Sequence, residues 1–189
     1  EALKYYEMSF SGKEVYPNSY WKLRTHNNAA TLYMDLGLPG KAFPILISIN
    51  SKYPRYIPGF INTGIYHYRM KNYHEAIAAF ERILAISPDH YEALFNIGNI
   101  YLETGRLIEA RNVYQKMEAD NGNNPMLHYN MACVESLSGN IALAYAHLEK
   151  ALSIGFSDYE AIAYNGELEL LRGSPGYRNL MSRYFKMAP

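Results

Sequence analysis

The sequence predicts an all-α solenoid of antiparallel helix pairs, and three of its features carry that prediction. The first is a 34-residue period kept without insertion by Asn28, Asn62, Asn96 and Asn130 and by Ala42, Ala76, Ala110 and Ala144. The second is a set of matched columns: Ala30, Gly64, Gly98 and Ala132 are small, while Leu46, Phe80, Tyr114 and Leu148 are large. The third is punctuation, with Gly37, Gly105 and Gly139 in one column and Pro54 and Pro88 in another. Self-similarity at a fixed period of this length marks stacked supersecondary units. Several independent columns in one register over four periods do not arise by chance.

Each element follows in order. Residues 1–9 read as the second helix of a preceding, truncated repeat, and residues 10–18, with Ser11-Gly12-Lys13 and Tyr16-Pro17-Asn18, as a loop, so that 1–22 precede the first full unit. The opening Glu1-Ala2-Leu3-Lys4 reads as the start of an excised or processed fragment. Helix pairs are expected at 19–36 and 39–53, 57–70 and 73–87, 91–104 and 107–119, and 125–138 and 141–154. The units are thus 23–56, 57–90, 91–124 and 125–158. Small residues on the first helix allow close approach to the second. The large residue four positions after each Ala lies on the same face and fills the space. The Gly column falls where the first helix stops and reverses, the left-handed position that Gly takes at little cost. In the second unit Lys71-Asn72 occupies that place, with Asn72 assigned the left-handed turn. Asn124 is the expected cap before Pro125. Residues 159–189 form a closing segment in which Asp158 caps one helix and a last helix starts near Pro175.

These columns resemble the tetratricopeptide repeat family over residues 23–158. In the second unit the resemblance rests on Phe60, Gly64, Ala76, Phe80, Ile83 and Pro88. In the third it rests on Leu94, Ile97, Gly98, Tyr101, Ala110 and Tyr114. His26 and His128 depart from the family's aromatic, and Glu135 from its Tyr. The resemblance implies a right-handed superhelix whose first helices line a concave groove. The stretch 166–181 resembles a closing segment found after such arrays in bacterial proteins, which implies a bacterial source and a cap over the last pair.

On that geometry the groove face carries Arg24, Asn27, Asn28 and Thr31, then Ile61, Asn62, Ile65 and Tyr68. It continues with Glu92, Phe95, Asn96, Asn99 and Leu102, then Met126, Tyr129, Asn130 and Cys133. The expected peptide contacts are Asn28, Ile61, Asn62, Ile65, Tyr68, Phe95, Asn96, Asn99, Tyr129 and Asn130. A carboxamide both donates and accepts, so the Asn column suits peptide main chain. Bridging between neighbouring helices is an equal alternative for it. The Lys, Asn and Arg clamp with which some members hold a C-terminal carboxylate is missing, since Asn27 and Ile61 stand where Lys would be needed. Chaperone tails are therefore not the expected ligands.

Function classes narrow further on composition. Lys plus Arg and Asp plus Glu number 18 each, so no net field steers the chain to nucleic acid. The 19 Tyr residues suit half-wet interfaces. Cys133 is the sole cysteine, which rules out an internal disulfide and a cysteine-based zinc site. No apolar run nears the ~20 residues of a membrane span. None of the six histidines pairs at i, i+4, and they are assigned to packing rather than to metal. His67 and His74 are expected on different helices. Gly37-Leu38-Pro39-Gly40-Lys41 has the wrong spacing for a phosphate loop, and Glu75, Glu81, Glu92 and Glu103 read as solvated. The expectation is a non-catalytic scaffold without cofactor, binding a protein or peptide as a monomer or weak homodimer, in cytoplasm or periplasm. The alternatives are a regulatory or targeting domain of a larger sensor kinase or protease, and self-association through Tyr177, Tyr184 and Phe185.

Overall fold

The structure is a computed structural model that describes residue 8 and residues 19–185. The helix and loop expected over residues 1–18 fall, residue 8 apart, outside the described residues. The described elements are all helical: α1 Ser19–Asp35, α2 Pro39–Lys52, α3 Ile57–Arg69, α4 Tyr73–Leu84, α5 Tyr91–Glu103, α6 Leu107–Asn121, α7 Pro125–Leu137 and α8 Ile141–Ser153. Each of these starts at its expected residue. A closing segment follows, with α9 Tyr159–Tyr164, a 3-10 turn Gly166–Leu168, α10 Glu169–Arg172 and α11 Pro175–Phe185. The residues divide into two compact units, 1–93 and 94–189.

In the first unit, α1 packs on α2 and α3 on α4, with α2 and α3 also in contact. Its core joins Ala29, Ala30, Tyr33, Met34, Ala42 and Leu46. Gly64 explains how closely α3 meets α4, because a Cβ there would lie 2.5 Å from the ring of fully buried Phe80. The α2–α3 contact is tied by Asn50 Nδ2 donating to Thr63 Oγ1 at 2.8 Å. Pro44 sits inside α2 and removes one of its amide donors.

The reversals inside the pairs share one construction. Leu38 N donates to Tyr33 O, Asn72 N to His67 O, Arg106 N to Tyr101 O and Asn140 N to Glu135 O. This six-to-one bond requires a left-handed residue just before its donor. Gly37, Gly105 and Gly139 supply it with φ of 69°, 71° and 78°, and Lys71 supplies it with φ 58°. The expectation that Asn72 takes the left-handed turn is therefore corrected. Asn72 has φ −84°, because the period places residue 71, not 72, in the glycine column.

In the second unit, the Tyr114 ring of α6 covers Gly98 of α5, where a Cβ would meet it at 2.4 Å. Helix α7 is buried without a break from Leu127 to Ser136. The paired helix α8 covers one side of α7, and the 3-10 turn and α10 lie on it as well. Asn124 caps α7 by accepting from the amides of Met126 and Leu127, and Asp158 caps α9 by accepting from Ala161. Glu135 is buried on α7, yet it keeps its charge through Arg111 of α6, whose Nε and Nη2 donate to its two oxygens at 2.6 and 3.0 Å. Asn140 adds a third bond at 2.7 Å. Desolvation works to raise the Glu135 carboxyl, but the Arg111 and Asn140 bonds together hold it below the ordinary carboxylate range.

Candidate functional site

The ten expected peptide contacts separate into open and closed positions. In the first unit Asn28 is exposed on α1, and α3 presents Ile61, Ile65 and Tyr68 at i, i+4 and i+7. Ile61 and Ile65 are half-buried and Tyr68 is 38% exposed. The adjoining side of α3 is committed to packing through Phe60 and Gly64. One helix thus shows a core face and a partly wet apolar stripe. In the second unit Phe95, Asn96 and Asn99 lie half-buried on α5. Phe95 leans on Tyr114 at a ring distance of 6.3 Å.

Asn62 and Asn130 are not open. Asn62 Nδ2 donates to Thr31 Oγ1 at 3.0 Å and to the Asn27 carbonyl at 3.4 Å. Asn130 Nδ2 donates to Asn99 Oδ1 at 2.8 Å, and Tyr114 OH donates to the same oxygen at 2.7 Å. Thr31 and Asn99 occupy one column of the repeat, so both bonds run from a first helix to the same place on the preceding first helix. A buried carboxamide needs such partners, and here it finds them inside the protein.

Tyr129 and Cys133 are also corrected. The repeat geometry puts both on the groove face, but the closing segment covers them. Tyr129 stacks on Phe156 at 4.4 Å, donates to the Ala161 carbonyl at 3.1 Å and accepts from Asn165 Nδ2 at 2.8 Å. Cys133 is fully buried and accepts from Asn165 at 3.6 Å. Burial, reinforced by nearby acidic groups, raises the proton affinity of both the phenol and the thiol. A thiol so protected is a packing residue, not a nucleophile. The repeat pattern could not reveal this, because Ala161 and Asn165, which bond to them, lie beyond the period.

Two other features have the form of a site. A pocket of about 210 Å³ lies between Met34, Gly37, Pro39, Tyr66, Arg69 and Met70. It is smaller than the ~300 Å³ at which small-molecule sites begin. The second feature is Glu118 of α6, His128 of α7 and His147 of α8, whose ligand atoms all lie within 4.8 Å of one another. Sequence spacing gave no sign of that cluster, since its members stand on three helices. The end-segment aromatics Tyr177, Tyr184 and Phe185 are half-buried rather than exposed, with Phe185 edge-on to Tyr159 at 5.3 Å. Glu75, Glu81, Glu92 and Glu103 are exposed. His67 lies on α3 and His74 on α4. No helix among the described residues is long and apolar enough to cross a membrane.

Residues 67–132 match the tetratricopeptide repeat family. Superkiller protein 3 of Schizosaccharomyces pombe is 26% identical over 91 residues, 48% of this chain, and the chain spans 7% of that relative. A structure of MamA from Desulfovibrio magneticus RS-1 superposes with a TM-score of 0.70 at 17% identity, covering 87% of this chain and 91% of that one. The Cut9–Hcn1 hetero-tetramer of the APC/C superposes with a TM-score of 0.64 at 17% identity, covering 79% of this chain and 29% of that one.

Proposed function

We propose that this chain, which belongs to the tetratricopeptide repeat family, is a non-catalytic protein–protein interaction scaffold that takes a peptide or protein segment on the open faces of its first helices. The observation that carries the reading is the stripe Ile61, Ile65 and Tyr68 on α3. These apolar side chains stand partly open at helical spacing, although the same helix has a fully formed core face. Water in contact with such a stripe is released when a partner covers it. Asn28 on α1 of the same unit is exposed and offers both a donor and an acceptor. In the other unit Phe95, Asn96 and Asn99 form a second, more polar patch.

Helices of this length are marginal alone, so stacking exists to stabilise them and leaves a preformed surface as its by-product. A preformed surface lowers the ordering cost of capturing a short segment. That the Cut9 structure, of like fold, is itself an assembly with Hcn1 agrees with this reading. The test is affinity capture from native lysate with mass spectrometry, comparing wild type with Ile65→Ser/Tyr68→Ala and with Phe95→Ala/Asn96→Ala. Partners retained by wild type and lost from folded variants are expected. Identical capture by all three proteins at equal thermal stability overturns the reading.

A further inference from the structure

Three helices meet at one polar point in the second unit. Glu118 lies in the last turn of α6, His128 in the first turn of α7 and His147 in the middle of α8. His128 Nδ1 is 3.2 Å from His147 Nδ1 and 3.7 Å from Glu118 Oε1. Two imidazole nitrogens and a carboxylate oxygen are a common zinc ligand set, with metal–ligand distances of ~2.0–2.2 Å. Ligands at those distances on a tetrahedral ion stand about 3.3 Å apart. The two nitrogens already have that separation. The Glu118 side chain, 37% exposed, has room to close the rest.

The His128 ring is also aimed. Nε2 of His128 is 2.8 Å from the Gly122 carbonyl. A carbonyl only accepts, so in the neutral ring the proton sits on Nε2 and the Nδ1 lone pair faces His147 and Glu118. An outer carbonyl that fixes the tautomer of a ligating histidine is the usual support of a metal site. Glu135 also faces His147, but its oxygens are taken by Arg111 and Asn140.

The repeat supplies an independent argument. In the column of His128 stand His26, Phe60 and Leu94; in that of His147, Ile45, Ala79 and Val113; in that of Glu118, Asn50, Leu84 and Leu152. At this one register all three columns hold a ligand-type residue, and the three come together in space. Where His26 breaks the His128 column alone, the His147 column holds Ile45 and no cluster forms.

We propose that Glu118 Oε1, His128 Nδ1 and His147 Nδ1 bind a divalent first-row transition cation, zinc fitting best, with water as the fourth ligand. Such an ion pins three consecutive helices and the Asn121–Asn124 turn, and it stabilises the fold by binding only the folded state.

The test uses the chain stripped with EDTA and titrated with ZnCl2 by calorimetry, with CoCl2 absorption as a report on geometry. Wild type is expected to take a single equivalent and to melt higher with zinc. It should also give the intense visible bands of tetrahedral cobalt. His147→Gln should abolish uptake, and Glu118→Gln should weaken it at least ~tenfold. His74→Gln, at an exposed position on α4, should change nothing. If His147→Gln fails to fold by circular dichroism, Glu118→Gln at the rim carries the decision. No uptake by wild type, or unchanged affinity in the variants, overturns the proposal and makes the 3.2 Å contact a hydrogen bond through one proton.

Discussion

Replacing Gly64 with Ala adds one methyl group to the closest approach in the first unit. Its Cβ would lie 2.5, 2.6 and 2.7 Å from three atoms of the Phe80 ring, whereas carbons rest at ~3.5–4.0 Å. The ring must therefore retreat by about 1 Å, but Phe80 is 0% exposed and is backed by core side chains. Overpacking of this kind costs about 1–3 kcal/mol. Alanine's better helix propensity returns about 1 kcal/mol, leaving a net destabilisation of up to about 2 kcal/mol. Gly40→Ala on α2 is the matched control, since a Cβ there meets nothing within 4 Å. It should stabilise by about 0.5 kcal/mol. Urea denaturation followed by circular dichroism reads both as midpoint shifts of opposite sign at constant slope. Gly64→Ala combined with Phe80→Leu should recover part of the loss. A Gly64→Ala midpoint raised as much as that of Gly40→Ala would refute the packing argument.

Lys71→Gly should stabilise by about 0.5–1 kcal/mol by relieving the left-handed φ of 58°, while Asn72→Gly should not; the same denaturation curves decide. Asn124→Ala removes the bonds accepted from Met126 and Leu127 and should cost about 1 kcal/mol. Arg111→Ala strands the buried Glu135 carboxylate and should cost about 3 kcal/mol at neutral pH, with Arg111→Met/Glu135→Leu costing less. Because folding lowers the Glu135 pKa, its contribution is present above the ordinary value of ~4.3 and lost as pH falls through the lowered one. Acid titration of stability should therefore show a shallower low-pH limb in Arg111→Ala than in wild type, and parallel limbs would contradict the assignment.

The helix starts, the Ala and large-residue columns and the Asn124 and Asp158 caps were legible because each depends on local chemistry repeated at a fixed interval. Asn62 and Asn130 show the first limit. The period identifies their column, but not whether a carboxamide turns outwards to a ligand or back to Thr31 and Asn99. Tyr129 and Cys133 show the second, since a non-repeating segment covers them and no periodic rule positions it. Glu135 and the Glu118–His128–His147 cluster mark the third. A charged or ligating residue in an apolar column signals that a partner must exist, yet Arg111 is 24 residues away in sequence from Glu135 and only packing brings them together. Departures from the repeat were thus the informative positions, and their meaning needed three dimensions.

The central claim is that the open first-helix faces hold a protein segment. Its most direct test is selection of binders from a displayed random-peptide library, followed by fluorescence titration of a selected peptide against purified wild type, Ile65→Ser/Tyr68→Ala and Phe95→Ala/Asn96→Ala. A loss of at least ~tenfold in affinity, about 1.4 kcal/mol, is expected in one or both variants with unfolding midpoints near wild type. Equal affinity in all three proteins would contradict it.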